Sequence, residues 1–220
     1  MPSARVVSVN LVHAILPDPR GDVGRTAIDK RPAQGPVLIQ ELGPVGDTVL
    51  DRRHHGGRDQ AVYAYAQEDL EQWSRELARE LAPGTFGENV TTEGLDVTGA
   101  VIGERWQVAA ADGRDPVLFE VTAPRIPCST FQGWIREPHW VRRFTEHGAP
   151  GAYLRVLAEG PIQAGAPVEV VSRPGHGVTI GEVFELRHAD PQRLRTLLDQ
   201  AVDLHGPLAE AVAARLRRAG

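Results

Sequence analysis

Short β-prone runs, each closed off by glycine or proline, recur along most of this chain and limit its fold more than any other feature. Stretches at Arg5–Asn10, Pro36–Glu41, Ala61–Tyr65, Glu104–Ala111, Val117–Thr122, Ala152–Ala158 and Pro167–Ser172 read as strands. With 23 glycines and 17 prolines, the chain has turn residues enough to separate them. One clear helix interrupts the series, from about Glu68 to Ala82. Its residues Leu70, Trp73, Leu77 and Leu81 recur at helical spacing, and Pro83-Gly84 ends it. Many short strands around one helix predict a mainly β fold, a barrel or sandwich, rather than an alternating α/β sheet.

The tail is different. From about His188 the spacing turns helical, with Asp190-Pro191 as cap and first helical residue. Leu194, Leu197, Leu198 and Val202 make one apolar stripe. His205-Gly206-Pro207 breaks it, and Leu208, Val212 and Leu216 make a second. Two domains are therefore expected: residues 1–175, rich in strands, and 176–220, a small helical unit. The helix–turn–helix look of the tail does not predict DNA binding, because a net charge of −5 leaves no general basic footprint.

The same charge argues against an anionic membrane surface, and no apolar run approaches spanning length. Met1-Pro2-Ser3-Ala4-Arg5 lacks the apolar region of a secretory signal. Cys128 is the only cysteine, which excludes an internal disulfide and a four-cysteine iron–sulfur site and fits a reducing cytosol. A cytoplasmic protein is expected.

Cys128 closes the run Pro124-Arg125-Ile126-Pro127-Cys128, directly after a strand. Two prolines stiffen the backbone there, and Arg125 places a cation near the thiol, a setting that favours the thiolate. A small, inert core residue is the alternative. Lys30 is the only lysine among 24 basic residues. A compact ammonium in an otherwise arginine-using chain points to a specific anionic partner. Polar clusters at Thr26–Arg31, His54–Gln60, Gly84–Asn89 and Arg125–Cys128 fall at strand ends or in loops, where sites are usually built. Together they offer cations, backbone donors and a thiol, an inventory suited to an anionic ligand with a soft metal or sulfur centre. Adjacent His54 and His55 lack the spacing of zinc ligands.

The strings TAIDKRP, GDTVLDRRHHGGRDQAVYAY, GTFGENVTTEGLDV, VIGERWQV, FEVTAPRIPC and GAYLRVLAEG follow one another in this order. In them the chain resembles the MOSC-domain family, and within it the YiiM-like branch, over about residues 5–175. The tail is similar to the small three-helix domain that follows the barrel in that branch. The resemblance implies a closed β-barrel and the pterin-type molybdenum cofactor. Cys128 would be the molybdenum ligand. Thr26, Lys30, Arg31, His55, Gly56, Gly57, Asn89, Arg125, Tyr153 and Arg155 would hold the cofactor, and Asp59 would be a proton donor or else a turn residue. The implied activity is reduction of N-hydroxylated compounds, hydroxylamino-purines or amidoximes, with electrons from a separate donor protein. That donor is required because no GxGxxG fingerprint is present. The other activity in the family is sulfur transfer or cofactor delivery, with Cys128 as a persulfide. Gln60 stands where relatives often have lysine. Trp134, His139 and Trp140, just after the cysteine, are expected in a flexible loop on the substrate side.

Overall fold

The computed structural model describes residues 3–186, 189–200 and 204–219. Eleven strands are found among them: β1 (Arg5–Pro17), β2 (Arg25–Pro32), β3 (Val37–Gln40), β4 (Gly43–Pro44), β5 (Val62–Ala66), β6 (Val90–Glu93), β7 (Arg105–Val108), β8 (Val117–Pro124), β9 (Ala152–Ala158), β10 (Gly160–Ile162) and β11 (Val168–Ser172). Helices α1 (Gln67–Glu76), α2 (Ser129–Ile135), α3 (Trp140–His147), α4 (Ile180–Phe184), α5 (Pro191–Gln200) and α6 (Gly206–Ala219), with a single 3-10 turn at Arg58–Gln60, complete the set. Eight strands form one mixed sheet in the order β11-β7-β8-β9-β5-β6-β1-β2, and β10-β3-β4 form a second. The β5–β6 pair is parallel, with α1 as part of its connection.

In place of a barrel closed by a continuous strand ladder, the large sheet ends in β11 and β2. It nevertheless curls far enough for the start of β1 to reach the segment before β11. An isolated bridge joins Arg5 to Pro167. Backbone bonds run from Val6 N to Ala166 O (2.9 Å), Gly165 N to Val6 O (2.8 Å) and Val168 N to Ala4 O (2.8 Å). β1 serves three neighbours because it is long. Arg5–Val9 pair with β6, and Asn10–Pro17 continue beyond it to pair with β2.

Inward-facing residues such as Val6, Trp106, Phe119, Val121 and Leu154 form the main core, and Leu194, Leu197, Leu208 and Val212 of α5 and α6 belong to the same cluster. Asp190 caps α5, its Oδ1 accepting from Gln192 N at 2.7 Å. His188, where the helical tail was expected to begin, and Val202 of its first stripe lie outside the described residues.

A second, aromatic core joins α1, α2 and α3. Trp73 and Trp140 lie 4.5 Å apart between ring centroids, Phe86 and Phe131 5.2 Å, and Phe131 and Phe144 5.1 Å. This corrects the expected loop after the cysteine. Trp140 is fully buried in a helix, and of these three residues Trp134 and His139 keep contact with solvent. The expected helix to Ala82 is also shorter, ending near Leu77. Ser74 Oγ accepts from Leu81 N (3.0 Å), and Ala78 turns left-handed at φ 49, so the chain folds back before the proline.

Candidate functional site

A cavity of about 550 Å³ gathers residues far apart in sequence: Thr26 and Lys30 of β2, His55, Gly56 and Gly57, Asn89, Arg125, Cys128 and Tyr153 of β9. Arg31, Asp59 and Arg155 are not in its lining. Arg31 alternates to the other face of β2, where its guanidinium meets Asp29 at 3.2 Å. Arg155, 2% exposed, binds Asp59 at 2.7 Å and Glu120 at 3.0 Å. That ion pair fastens the turn after Gly57 to β8 and β9, because Glu120 stands opposite Arg155 in the ladder. Asp59, committed there to arginine, is an anchor for the loop rather than a group at the cavity surface.

The cavity floor is a hydrogen-bonded ion pair. Lys30 Nζ lies 2.6 Å from Asp47, both side chains being almost wholly buried. Asp47 also accepts from Asn89 Nδ2 (2.8 Å) and Val12 N (3.1 Å). Burial pushes the Lys30 ammonium below its ordinary range, and Asp47 opposes that shift. The specific anion expected for the only lysine is thus a protein carboxylate. Asn89 is equally engaged: its Oδ1 accepts from Tyr63 N at 3.1 Å, so both ends of the amide hold the floor together.

The turn beside it is built around Glu88, which is fully buried and accepts from Gly84 N (2.5 Å), Phe86 N (3.0 Å) and Thr91 Oγ1 (3.0 Å). Gly84, at φ +90, packs so close to β2 that a Cβ would stand 2.4 Å from Lys30 O. Across the cavity Gly56 and Gly57, at φ 80 and 79, form a turn that other residues adopt at a cost. His55 precedes it. Burial first, and then Arg125, depress the His55 pKa, so the imidazole is neutral at pH 7. Its Nδ1 lies 3.4 Å from Tyr153 Oη. Burial pushes the Tyr153 phenol up, so it stays protonated.

β8 delivers the chain to Arg125 and Cys128, and α2 leads it away, anchored by Phe131 in the aromatic core. The Cys128 thiol is half-buried and free. Arg125 is 5% exposed, with its Cζ 3.7 Å from the Phe131 ring centroid and 5.5 Å from that of Tyr63. Its Nη1 is buried without a hydrogen-bond partner, and no carboxylate pairs with it among the described residues. A buried guanidinium left so is costly, and an anion in the cavity would relieve it.

Sequence reasoning missed Asp47 and Asp18. Asp18 is buried in the cavity wall and accepts from Thr130 Oγ1. The signal for Asp47 was present, since Lys30 called for an anion. Nothing in one sequence says which of many carboxylates supplies it.

The MOSC domain family model matches residues 51–169, more than half of the chain and the part that carries Cys128. The chain is a MOSC-domain protein. It is 31% identical to the uncharacterized protein YflK of Bacillus subtilis (strain 168) over 192 residues, 87% of this chain and 84% of that one. A crystal structure of YiiM from Geobacillus stearothermophilus superposes with a TM-score of 0.75 at 26% identity, covering 97% of this chain and 99% of that chain. A protein named reductase from Gibberella moniliformis (strain M3125 / FGSC 7600) is 30% identical over 152 residues, 68% of this chain but 26% of the reductase's own length.

The donors of the cavity suit an anionic ligand with a soft centre. Among the described residues no group of three or more His, Cys, Asp or Glu could hold a bare ion. The cavity instead provides one free thiol, an unpaired buried cation and the exposed turn at Gly57. No helix of the described residues is long and apolar enough to cross a membrane.

Proposed function

We propose that this MOSC-domain protein is a molybdenum-cofactor-dependent reductase of N-hydroxylated compounds. The observation that carries the reading is the convergence of the free Cys128 thiol with the buried, unpaired Arg125 in one cavity of cofactor size. The family's association with the molybdenum cofactor and the reductase-named relative support it. In this reading residues 1–175 form the catalytic domain and 176–220 a helical domain packed on it, in a cytoplasmic setting.

The bound cofactor supplies a metal that exchanges electron pairs and accepts oxygen. Cys128 would be its protein ligand, and Arg125 would pair with an anionic group of the pterin. Thr26 and the Gly56-Gly57 turn would border it, with Lys30 and Asn89 holding the floor through Asp47. Arg155 and Asp59 would act from behind by fixing the turn, and Arg31 would remain outside. Reduction of an N–OH group breaks the N–O bond, consumes two electrons and two protons, and releases water. Electrons would come from a separate donor protein. Tyr153, with its proton retained and neutral His55 at 3.4 Å, is a proton-bearing pair in the cavity wall.

The test is turnover of 6-N-hydroxylaminopurine by cofactor-loaded protein with a chemical reductant. Product is expected with wild type and a loss of at least about 100-fold with Cys128→Ala. Loaded wild type without turnover would reject the reading. The half-buried free thiol also suits a sulfur carrier. A persulfide on Cys128 in protein free of molybdenum is the result that would favour it.

A further inference from the structure

A second cavity, of about 800 Å³, adjoins the first and shares Asp18, Thr26 and Thr130 with it. Thr130 is two residues beyond Cys128, so the common wall lies beside the thiol. The rest of the lining comes from the end of β1, the loop after it, α2 and the link between α2 and α3. Its aromatic surface is Trp134, the one tryptophan that is not almost fully buried, held in place by donation from Nε1 to Thr85 O at 2.7 Å.

Two exposed arginines flank this cavity, and neither guanidinium has an ion-pair partner among the described residues. Arg20 lies across α2 at Gly133, where an added Cβ would meet its Nη1 at 3.3 Å. Arg136 is held left-handed at φ 61 as the residue that ends α2. The neighbouring carboxylates are already engaged. Asp18 accepts from Thr130 and from Arg20 N, and Glu137 lies 3.5 Å from Arg143 and 3.8 Å from Arg79. The wall thus presents a fixed indole with two arginines that no carboxylate pairs among the described residues, beside Asp18, whose charge its neutral donors leave in place.

We propose that this second cavity is the substrate-recognition site and that it selects a planar aromatic compound carrying an anionic group, a phosphorylated N-hydroxylated nucleoside. The base would lie against Trp134, the phosphate between Arg20 and Arg136, and the N–OH group would reach the first cavity past Asp18, Thr26 and Thr130. Guanidinium forks match phosphate geometry, and aromatic faces accept bases. An amidoxime fits less well, because its amidine product is a cation beside two others. The term substrate rests on the reductase reading; the binding site does not.

The test is equilibrium binding to purified full-length protein, by calorimetry and by quenching of intrinsic fluorescence. Adenosine 5′-monophosphate, adenosine and benzamidine serve as product-like probes. Adenosine monophosphate is expected to bind at least about tenfold more tightly than adenosine, and benzamidine most weakly. The quenching should disappear in Trp134→Phe. In Arg20→Gln/Arg136→Asn, where asparagine suits the left-handed position, the phosphate advantage should vanish while adenosine binding stays within about twofold. Equal affinity for nucleotide and nucleoside, or an unchanged nucleotide affinity in the double variant, would overturn the assignment. Molybdenum content of the same preparation separates the two claims. Metal without discrimination rejects the substrate site alone, and discrimination without metal rejects the reductase reading alone.

Discussion

Lys30 gives up nearly all contact with water to reach Asp47, whereas Arg125, buried to a similar degree, reaches no carboxylate. These two of the cavity's basic residues therefore do different work. Lys30 is part of the floor, and its removal would leave Asp47 as an uncompensated buried charge. Lys30→Met is expected to cost about 3 kcal/mol in urea unfolding, because breaking one side of a buried pair exposes the full desolvation of the other. A change below about 0.5 kcal/mol would mean that water reaches Asp47 and that the pair is not structural. The oddity of one lysine was legible in the sequence, and so was its need for an anion. Its partner was not, because Asp47 arrives from a separate loop. The same limit hid the fate of Asp59 and Arg155. Each read as polar and near the motif, and only the third dimension pairs them behind the cavity wall.

Among the elements, α1 shows how a local rule can be outweighed. Glu68 and Asp69 open the helix, where carboxylates favour its N-terminal dipole. Asp69 is also largely buried, and desolvation, with Glu68 and Asp96 nearby, raises its pKa from 3.8 to about 6. A folded pKa above the unfolded one means that the ionised carboxylate destabilises the fold above pH 6. The effect fades as pH falls towards 3.8. Asp69→Asn is expected to stabilise the protein by about 1–2 kcal/mol at pH 7, net of the lost dipole interaction, and by little at pH 4. Thermal unfolding at the two pH values checks it; equal gains at both would contradict the desolvation argument. Helix α1 was readable from its apolar spacing, but its end was not, since Ser74 and Ala78 reverse the chain before Pro83 does. Helices α2 and α3 were missed altogether. Each is short, and what stabilises them is the shared aromatic core, which no local window reveals.

At the scale of the whole molecule, strands and turns predicted a β-dominated fold correctly, because alternation and glycine–proline punctuation are local signals. Closure was not local. Whether eight strands complete a cylinder depends on where β1 ends up relative to β11, and here a single bridge with three backbone bonds makes that connection. The curl brings the turns of four distant segments to one cavity, and α5 and α6 add their leucines to the core that supports it. The central claim is that this cavity holds a molybdenum-bearing pterin through Cys128. Its most direct test is molybdenum by elemental analysis together with pterin fluorescence, on wild type and Cys128→Ala purified from a host that makes the cofactor. Near-stoichiometric metal and pterin in wild type, with metal lost in the variant, is the expected result. Folded wild type with neither, even after incubation with the isolated cofactor, would contradict the account.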